Sequence, residues 1–268
     1  MGRHHPLAMA SGIMPEATPV QLVEAAAAAG FALGGMWFEP ATWTDATTRA
    51  VGRALAATGL QLLDIEVVWI KPGPLDPDHV RLVEVGAELG ARNVLCVSSD
   101  PDAGATRDKL AALAEVGERA GIRINLEFGL FTEVRTIHAA SAILRQIASP
   151  AIGLLVDSLH WQRSGGTIAD IAAIPPAWLS YAQLCDAPLD FAHLDDPQAI
   201  ITEAIDGRLP LGHGQLPLRA IIEALPDGLP IAIEERSKAL RDGWPDLDDR
   251  ARRLMETSSA FMDALSVE

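Results

Sequence analysis

Cysteine is scarce: Cys96 and Cys185 are the only two in 268 residues. Two cysteines, each near the end of an expected strand, build no disulfide framework and point to a reducing cytoplasm. Positive charge is also short. The 21 basic residues face 36 acidic ones, a net charge of -15. Such a field repels phosphate backbones and anionic membrane surfaces, so neither nucleic acid nor membrane is an expected partner. No run reaches the roughly 18 apolar residues of a membrane span. The longest candidate, Ala25–Phe38, is broken by Gly30, Gly34 and Gly35. The opening MGRHHPLAMASG lacks the apolar core of a signal peptide. Apart from the alanines at 25–29 there is no low-complexity tract. No G-x-G-x-x-G follows the first strand, and no G-x-x-x-x-G-K-[ST] occurs, so nucleotide-fold fingerprints are missing.

What the chain has is apolar mass, 49% of it, enough for a sizeable core. The length suits one domain over 1–268, with 1–6 flexible and 248–266 a last amphipathic helix packed on the barrel. Strands are expected at Leu7–Ile13, Leu33–Phe38, Leu60–Val68, Asn93–Val97, Ile122–Phe128, Ile152–Asp157, Leu179–Leu184 and Leu229–Glu234. Helices fall between them. Thr18-Pro19 with Gln21, Thr44 or Asp45, and Asp76-Pro77 are starts, while Gly30, Gly59, Gly90 and Gly121 are stops. Eight strands alternating with helices, about 25 to 30 residues apart, suit a (β/α)8 TIM barrel, although a doubly wound sheet gives the same alternation. Between Cys185 and Gly214 regular periodicity is weak, with a helix expected near Pro197–Ile205.

The sixth strand, within IGLLVDSLHWQRS, stops at Asp157, and His160 follows three residues later. Glu127, Asp157, Gln183 and Glu234 close four successive strands. In a parallel barrel those ends share one mouth. Converging carboxylates raise one another's pKa values unless a cation holds them. Two Glu, one Asp and an amide oxygen make a hard site suited to Mg²⁺ or Mn²⁺, with Zn²⁺ or Co²⁺ allowed if His160 joins. The competing reading pairs these groups with Arg123, Arg163, Arg236 and Lys71 in a salt network. A second ring of residues just beyond strand ends is a candidate substrate shell: Arg163, His193, His213, Arg236, Glu66, Trp37, Lys71 and Trp161, with His160 as a catalytic candidate and Trp69 as a further wall. His4 and His5 are terminal, and His79 and His138 are read as surface.

The stretches IRINLEFG, GLLVDSLHWQRSGG, YAQLCDA, LPLGHGQLPL and IAIEERSKAL resemble the xylose isomerase-like barrel superfamily, in its sugar isomerase and epimerase, inosose dehydratase and 3-dehydroshikimate dehydratase branch. The resemblance implies a divalent metal at the barrel mouth, with Glu127, Asp157 and Glu234 in ligand positions and His160 contacting substrate hydroxyls. Gln183 stands where most members have histidine, and its amide oxygen still suits Mg²⁺ or Mn²⁺. GHG around His213 stands where many relatives have GEG. The first functional expectation is an isomerase or epimerase of a ketose-like polyhydroxy substrate, with Glu127 and Glu234 moving the proton. The second is a lyase that shares the same first step and loses water, with His160 or His213 as acid. A DNA repair endonuclease is disfavoured because Glu39 and Glu66 end strands two and three where that class has histidine, and because the chain is acidic. A non-catalytic binding barrel is the remaining alternative, motivated by Gln183. The expected partner is a small molecule, with a homodimer allowed.

Overall fold

The computed structural model describes residues 4–267. Eight parallel strands close into one barrel in sequence order: β1 Leu7–Met9, β2 Leu33–Trp37, β3 Gln61–Ile70, β4 Asn93–Ser98, β5 Arg123–Glu127, β6 Ile152–Asp157, β7 Ala182–Leu184 and β8 Ile231–Ile233. β1 pairs with both β2 and β8, which closes the ring. A doubly wound sheet is thereby excluded. Among the described residues no helix is long and apolar enough to cross a membrane.

Local chemistry sets the helix ends. Thr18 and Gln21 form a reciprocal cap before Pro19–Ala28, and Thr44 with Thr47 does the same before Asp45–Thr58. Each arrangement satisfies backbone groups that the first turn leaves without partners. Gly59 and Gly121 close their helices with positive φ, a conformation that a Cβ disfavours. The final helix, Leu247–Val267, lies against Pro19–Ala28. Buried Arg250 ties it to the first loop through Glu16 at 2.6 Å and the carbonyl of Ile13 at 3.3 Å. At the other end of the barrel His5 is buried, with Nδ1 2.8 Å from the carbonyl of Leu229. Residues 1–3, part of the stretch expected to be flexible, lie outside the described residues.

Several elements differ from the sequence expectation. β1 stops at Met9, and Ser11–Ile13 is a 3-10 turn. The helix expected over 133–148 is only Ile137–Leu144, because Thr136 caps it late. Two short helices were not foreseen. Ser158–Arg163 starts where Asp157 accepts the His160 amide at 2.9 Å, and Lys238–Gly243 is capped by Ser237. In β3, Asp64 and Glu66 were expected on one face, with Leu63, Ile65 and Val67 on the other. Register shifts between Gly34/Gly35 and between Ile65/Val68 break that alternation. Leu63 and Val67 therefore join the barrel-filling cluster with Ala8, Leu33, Leu95, Leu155 and Tyr181, while Ile65 stays in the layer beneath the helices.

The segment after β7 has order of its own. Asp186 and Leu209 form an antiparallel bridge, and Gly207 forms another with Ser237. The Asp186 carboxylate accepts the amides of Gly212 and Leu216, each at 3.0 Å. A Cβ on Gly214 would stand 2.3 Å from Asp186 Oδ1, so only glycine lets this turn close. These bonds pin both ends of the strap that carries residue 208 across the mouth.

Candidate active site

At the mouth, Glu127, Asp157, Gln183 and Glu234 come from β5, β6, β7 and the residue after β8. All four are buried. Asp157 lies opposite Gln183 in the β6–β7 register. Ligand atoms of Glu127, Asp157 and His160 all lie within 4.8 Å of one another, so these three could hold a metal ion. A cavity of about 220 Å³ opens above them, and Glu127, Glu234, His160, Glu66, Arg236 and Trp37 line it.

The sequence reading missed a buried cation in this group. Arg208 is 2% exposed, and its guanidinium enters the cluster from the strap. Nη1 lies 2.6 Å from Asp157 Oδ2 and 4.0 Å from Glu234 Oε2, and Nη2 lies 3.2 Å from His160 Nε2. Nε donates to the carbonyl of Ala204 at 2.7 Å. The only sequence sign of it was an arginine in a stretch without periodicity.

Burial and charge divide the acids. Burial disfavours ionised Asp157, but Arg208, His160 and the His160 amide outweigh it and hold the carboxyl below its usual range. Burial, then Asp157 and Glu234, push Glu127 well up. Glu234 rises to about 7 through burial, against the pull of Arg208. Deeper in, burial lifts Asp64 to about 7, and burial with Asp64 lifts Glu66 to about 7. Burial lowers His160 to about 4, so its ring is neutral at physiological pH. Its ring rests on Phe131, centroids 4.5 Å apart.

The donor set fits a divalent cation on the structure's own terms. Among the described residues, neither amide atom of fully buried Gln183 has a hydrogen-bond partner. An orphaned buried amide costs free energy unless something else meets it. A metal bound by its oxygen, with Glu127 and Glu234 as further ligands, would supply a partner for that oxygen and the missing positive charge.

The expected substrate shell divides. Glu66, Trp37 and Arg236 line the cavity, as does Trp69. The rest of the shell lies elsewhere. Arg163 is structural: it grips Glu203 through Nε at 2.9 Å and Nη2 at 2.6 Å, and it bonds the carbonyls of Pro188 and Leu189. Trp161 is buried in the helix layer, and a Cβ on Gly166 would be 2.4 Å from its ring. Lys71 and His213 are exposed outside this cavity, and His193 is exposed beside Phe191. Among the described residues the salt network expected through Arg123, Arg163, Arg236 and Lys71 does not form, although Arg236 pulls on Glu66 and Glu234. Arg208 forms the ion pair instead. The walls Val67, Leu95, Val97 and Phe131 were not foreseen. They are ordinary strand and loop hydrophobics until closure turns them inward.

The family model described as xylose isomerase-like TIM barrel matches residues 23–258. The chain belongs to that family. No curated protein matches it. A crystal structure of IolI protein with a binding zinc atom superposes with a TM-score of 0.79 at 16% identity, covering 97% of this chain and 98% of that one. An L-ribulose 3-epimerase gives 0.71 at 18% identity, covering 100% and 95%. A xylose isomerase-like TIM barrel/4-hydroxyphenylpyruvate dioxygenase fusion protein gives 0.78 at 20% identity over 94% of this chain. The chain spans only 42% of that fusion. At these identities the likeness is one of fold.

Proposed function

We propose that this barrel is a divalent-metal-dependent isomerase or epimerase acting on a small hydroxy-carbonyl compound. The observation that carries the reading is the pair Glu127 and Glu234, two carboxyl groups buried on one mouth and both lifted in pKa by burial. Proton transfer at carbon needs a group able to accept and return a proton near neutral pH. Glu234, at about 7, suits removal of the proton beside the carbonyl. Glu127, likewise lifted by burial, would return a proton to the opposite face. Glu127, Asp157, Gln183 and Glu234 would hold the metal, with His160 as an alternative ligand. When bound, Mg²⁺, Mn²⁺ or Zn²⁺ would polarise the carbonyl and acidify the neighbouring C–H. Neutral His160 offers a ring nitrogen to a substrate hydroxyl. Arg208 keeps Asp157 ionised and fixed. The apolar walls exclude water from the carbanionic stage.

Those same walls motivate a second reading. Val67, Trp69, Leu95, Val97 and Phe131 give no partners to a long polyol chain, which favours a compact ring. On such a substrate the same proton removal can be followed by loss of a β-hydroxyl as water, the proton taken up by Glu234 passing to the departing oxygen while His160 hydrogen-bonds it. The test is a panel of ketoses, cyclitol ketones and cyclic hydroxy-ketones incubated in D₂O with each metal. Epimerisation gives deuterium at an inverted carbon. Elimination gives a conjugated, ultraviolet-absorbing product. A metal-loaded protein that exchanges no substrate proton across the panel defeats both readings.

A further inference from the structure

A second cavity, of about 400 Å³, lies beside the catalytic mouth, between the turn after β1 and the loop after β2. The two share Trp37 and Arg236 as a common wall. Away from that wall the second cavity is mainly apolar, with Met14, Leu22, Met36 and Trp43 among its sides.

Arg236 is the basic residue of this lining, and its side chain has no ion-pair or hydrogen-bond partner among the described residues. Its Nε is buried and unpaired. Glu66 and Glu234 feel its charge but form no ion pair or hydrogen bond with it. Ser11 Oγ donates to Glu66, and Glu234 faces Arg208. Glu39, which also lines the cavity, is exposed and accepts from the amide of Ala41 in its own loop. The backbone of Arg236 is fixed on both sides: its N–H donates to the Glu234 carbonyl at 2.9 Å, and its own carbonyl accepts the Arg208 amide at 3.2 Å. Room for its side chain comes from Gly12, where a Cβ would stand 2.7 Å from Arg236 Cδ and 2.9 Å from Nε. A rigidly placed guanidinium with an unmet donor, at the end of an apolar chamber, is complementary to one kind of molecule.

We propose that this cavity binds a small apolar carboxylic acid, with its carboxylate on Arg236 and its body against Trp37, Met36 and Trp43. A carboxylate suits it better than a phosphate, since one guanidinium neutralises one negative charge and no second cation lines the chamber. This site is separate from the metal centre and does not depend on the proposed reaction.

The test is calorimetric titration of the full chain with benzoate, in excess Mg²⁺ and again in chelator, with benzyl alcohol as the neutral probe of similar shape. Benzoate should saturate a single site with the same affinity in both conditions. Benzyl alcohol should bind at least about tenfold more weakly, as should benzoate to Arg236→Gln. Gly12→Ala, which pushes into Arg236, should weaken benzoate as well. If Arg236→Gln does not fold, folded Arg236→Lys, which loses the fork, should still show the weakening. Equal affinity of the folded Arg236 variant, equal affinity for benzyl alcohol, binding that chelator abolishes, or no saturation by about 50 mM would each overturn the assignment.

Discussion

Replacing Arg208 with methionine isolates what its guanidinium does, because methionine keeps most of the buried volume and none of the charge. Five contacts vanish: the 2.6 Å ion pair with Asp157, the 4.0 Å pair with Glu234, the 3.2 Å contact with His160, the 3.4 Å contact with Cys185 Sγ and the 2.7 Å bond to the Ala204 carbonyl. Asp157, fully buried, keeps only the His160 amide as a donor. Breaking one side of a buried pair typically costs about 3 to 5 kcal/mol, and the lost carbonyl bond adds about 1. A loss of about 4 kcal/mol is a large part of the roughly 5 to 15 kcal/mol that holds a domain together. The pH dependence has a fixed sign. Asp157 is held below its ordinary 3.8 in the folded wild type, so its contribution is present above that value and fades as pH falls through the folded one. The gap between wild type and variant should therefore be full at pH 7 and close in acid. The assay is urea unfolding in chelator, followed by circular dichroism, with Asp157→Asn completing a double-mutant cycle. Metal at a hundred times its dissociation constant should return up to about 2.7 kcal/mol to the variant. A loss under about 1 kcal/mol at pH 7, or no coupling in the cycle, would refute the idea that Arg208 is the internal counter-ion.

Other consequences can be checked on the same protein. Glu127→Gln and Glu234→Gln should each lower turnover at least about a hundredfold with metal content, measured by mass spectrometry, preserved; near wild-type proton exchange in both would end the two-carboxylate mechanism. Gly153→Ala should cost at least about 2 kcal/mol, read as a drop in melting temperature, since its Cβ would sit 2.2 Å from Asn125 Oδ1 and 2.6 Å from the Trp178 carbonyl. Glu235 is pushed up to about 8 by burial, against a partial pull from Arg253, so the folded state keeps its proton after the unfolded chain has released it near 4.5. Wild type should lose stability between those pH values, and Glu235→Gln should flatten the profile and be the more stable form at pH 8.

The barrel was legible because its signals are local. Asp157 ends an apolar run, Thr18 and Thr44 announce helices, and Gly59 and Gly121 end them. The four mouth residues were legible for a similar reason, since each closes a strand. Arg208 was not. Its place depends on the Asp186–Leu209 and Gly207–Ser237 bridges, which join segments far apart in sequence with no hydrophobic period. Arg163 and Trp161 show the converse error. They stand beside His160 in sequence, but the short helix at Ser158–Arg163 turns Arg163 to Glu203 and Trp161 into the helix layer. Proximity along the chain places two residues in one site only where the backbone turns both side chains the same way, as it does for Asp157 and His160. Val67 entered the cavity through a register shift in β3 that no alternation pattern encodes.

Charge balance leads to one more consequence. The barrel mouth and floor bury five carboxyl groups, Asp64, Glu66, Glu127, Asp157 and Glu234, against the guanidiniums of Arg208 and Arg236. Full ionisation would leave three uncompensated negative charges in a low-dielectric interior, which is prohibitive. Without metal the protein meets this by keeping protons, and the values near 7 for Asp64, Glu66 and Glu234, with Glu127 also lifted, are the expression of it. A divalent ion replaces those protons, so binding it must release them. At pH 7 the release should lie between about one and two protons per ion. It should grow at pH 6 and fall towards zero as alkali ionises the free site. Calorimetry in buffers of different ionisation enthalpy reads this number directly, without any substrate. Metal uptake with no proton release at pH 7 would mean that the carboxylates are already ionised and held by a cation other than the metal. The charge economy drawn here would then fail, while Arg208 would gain a larger share of it.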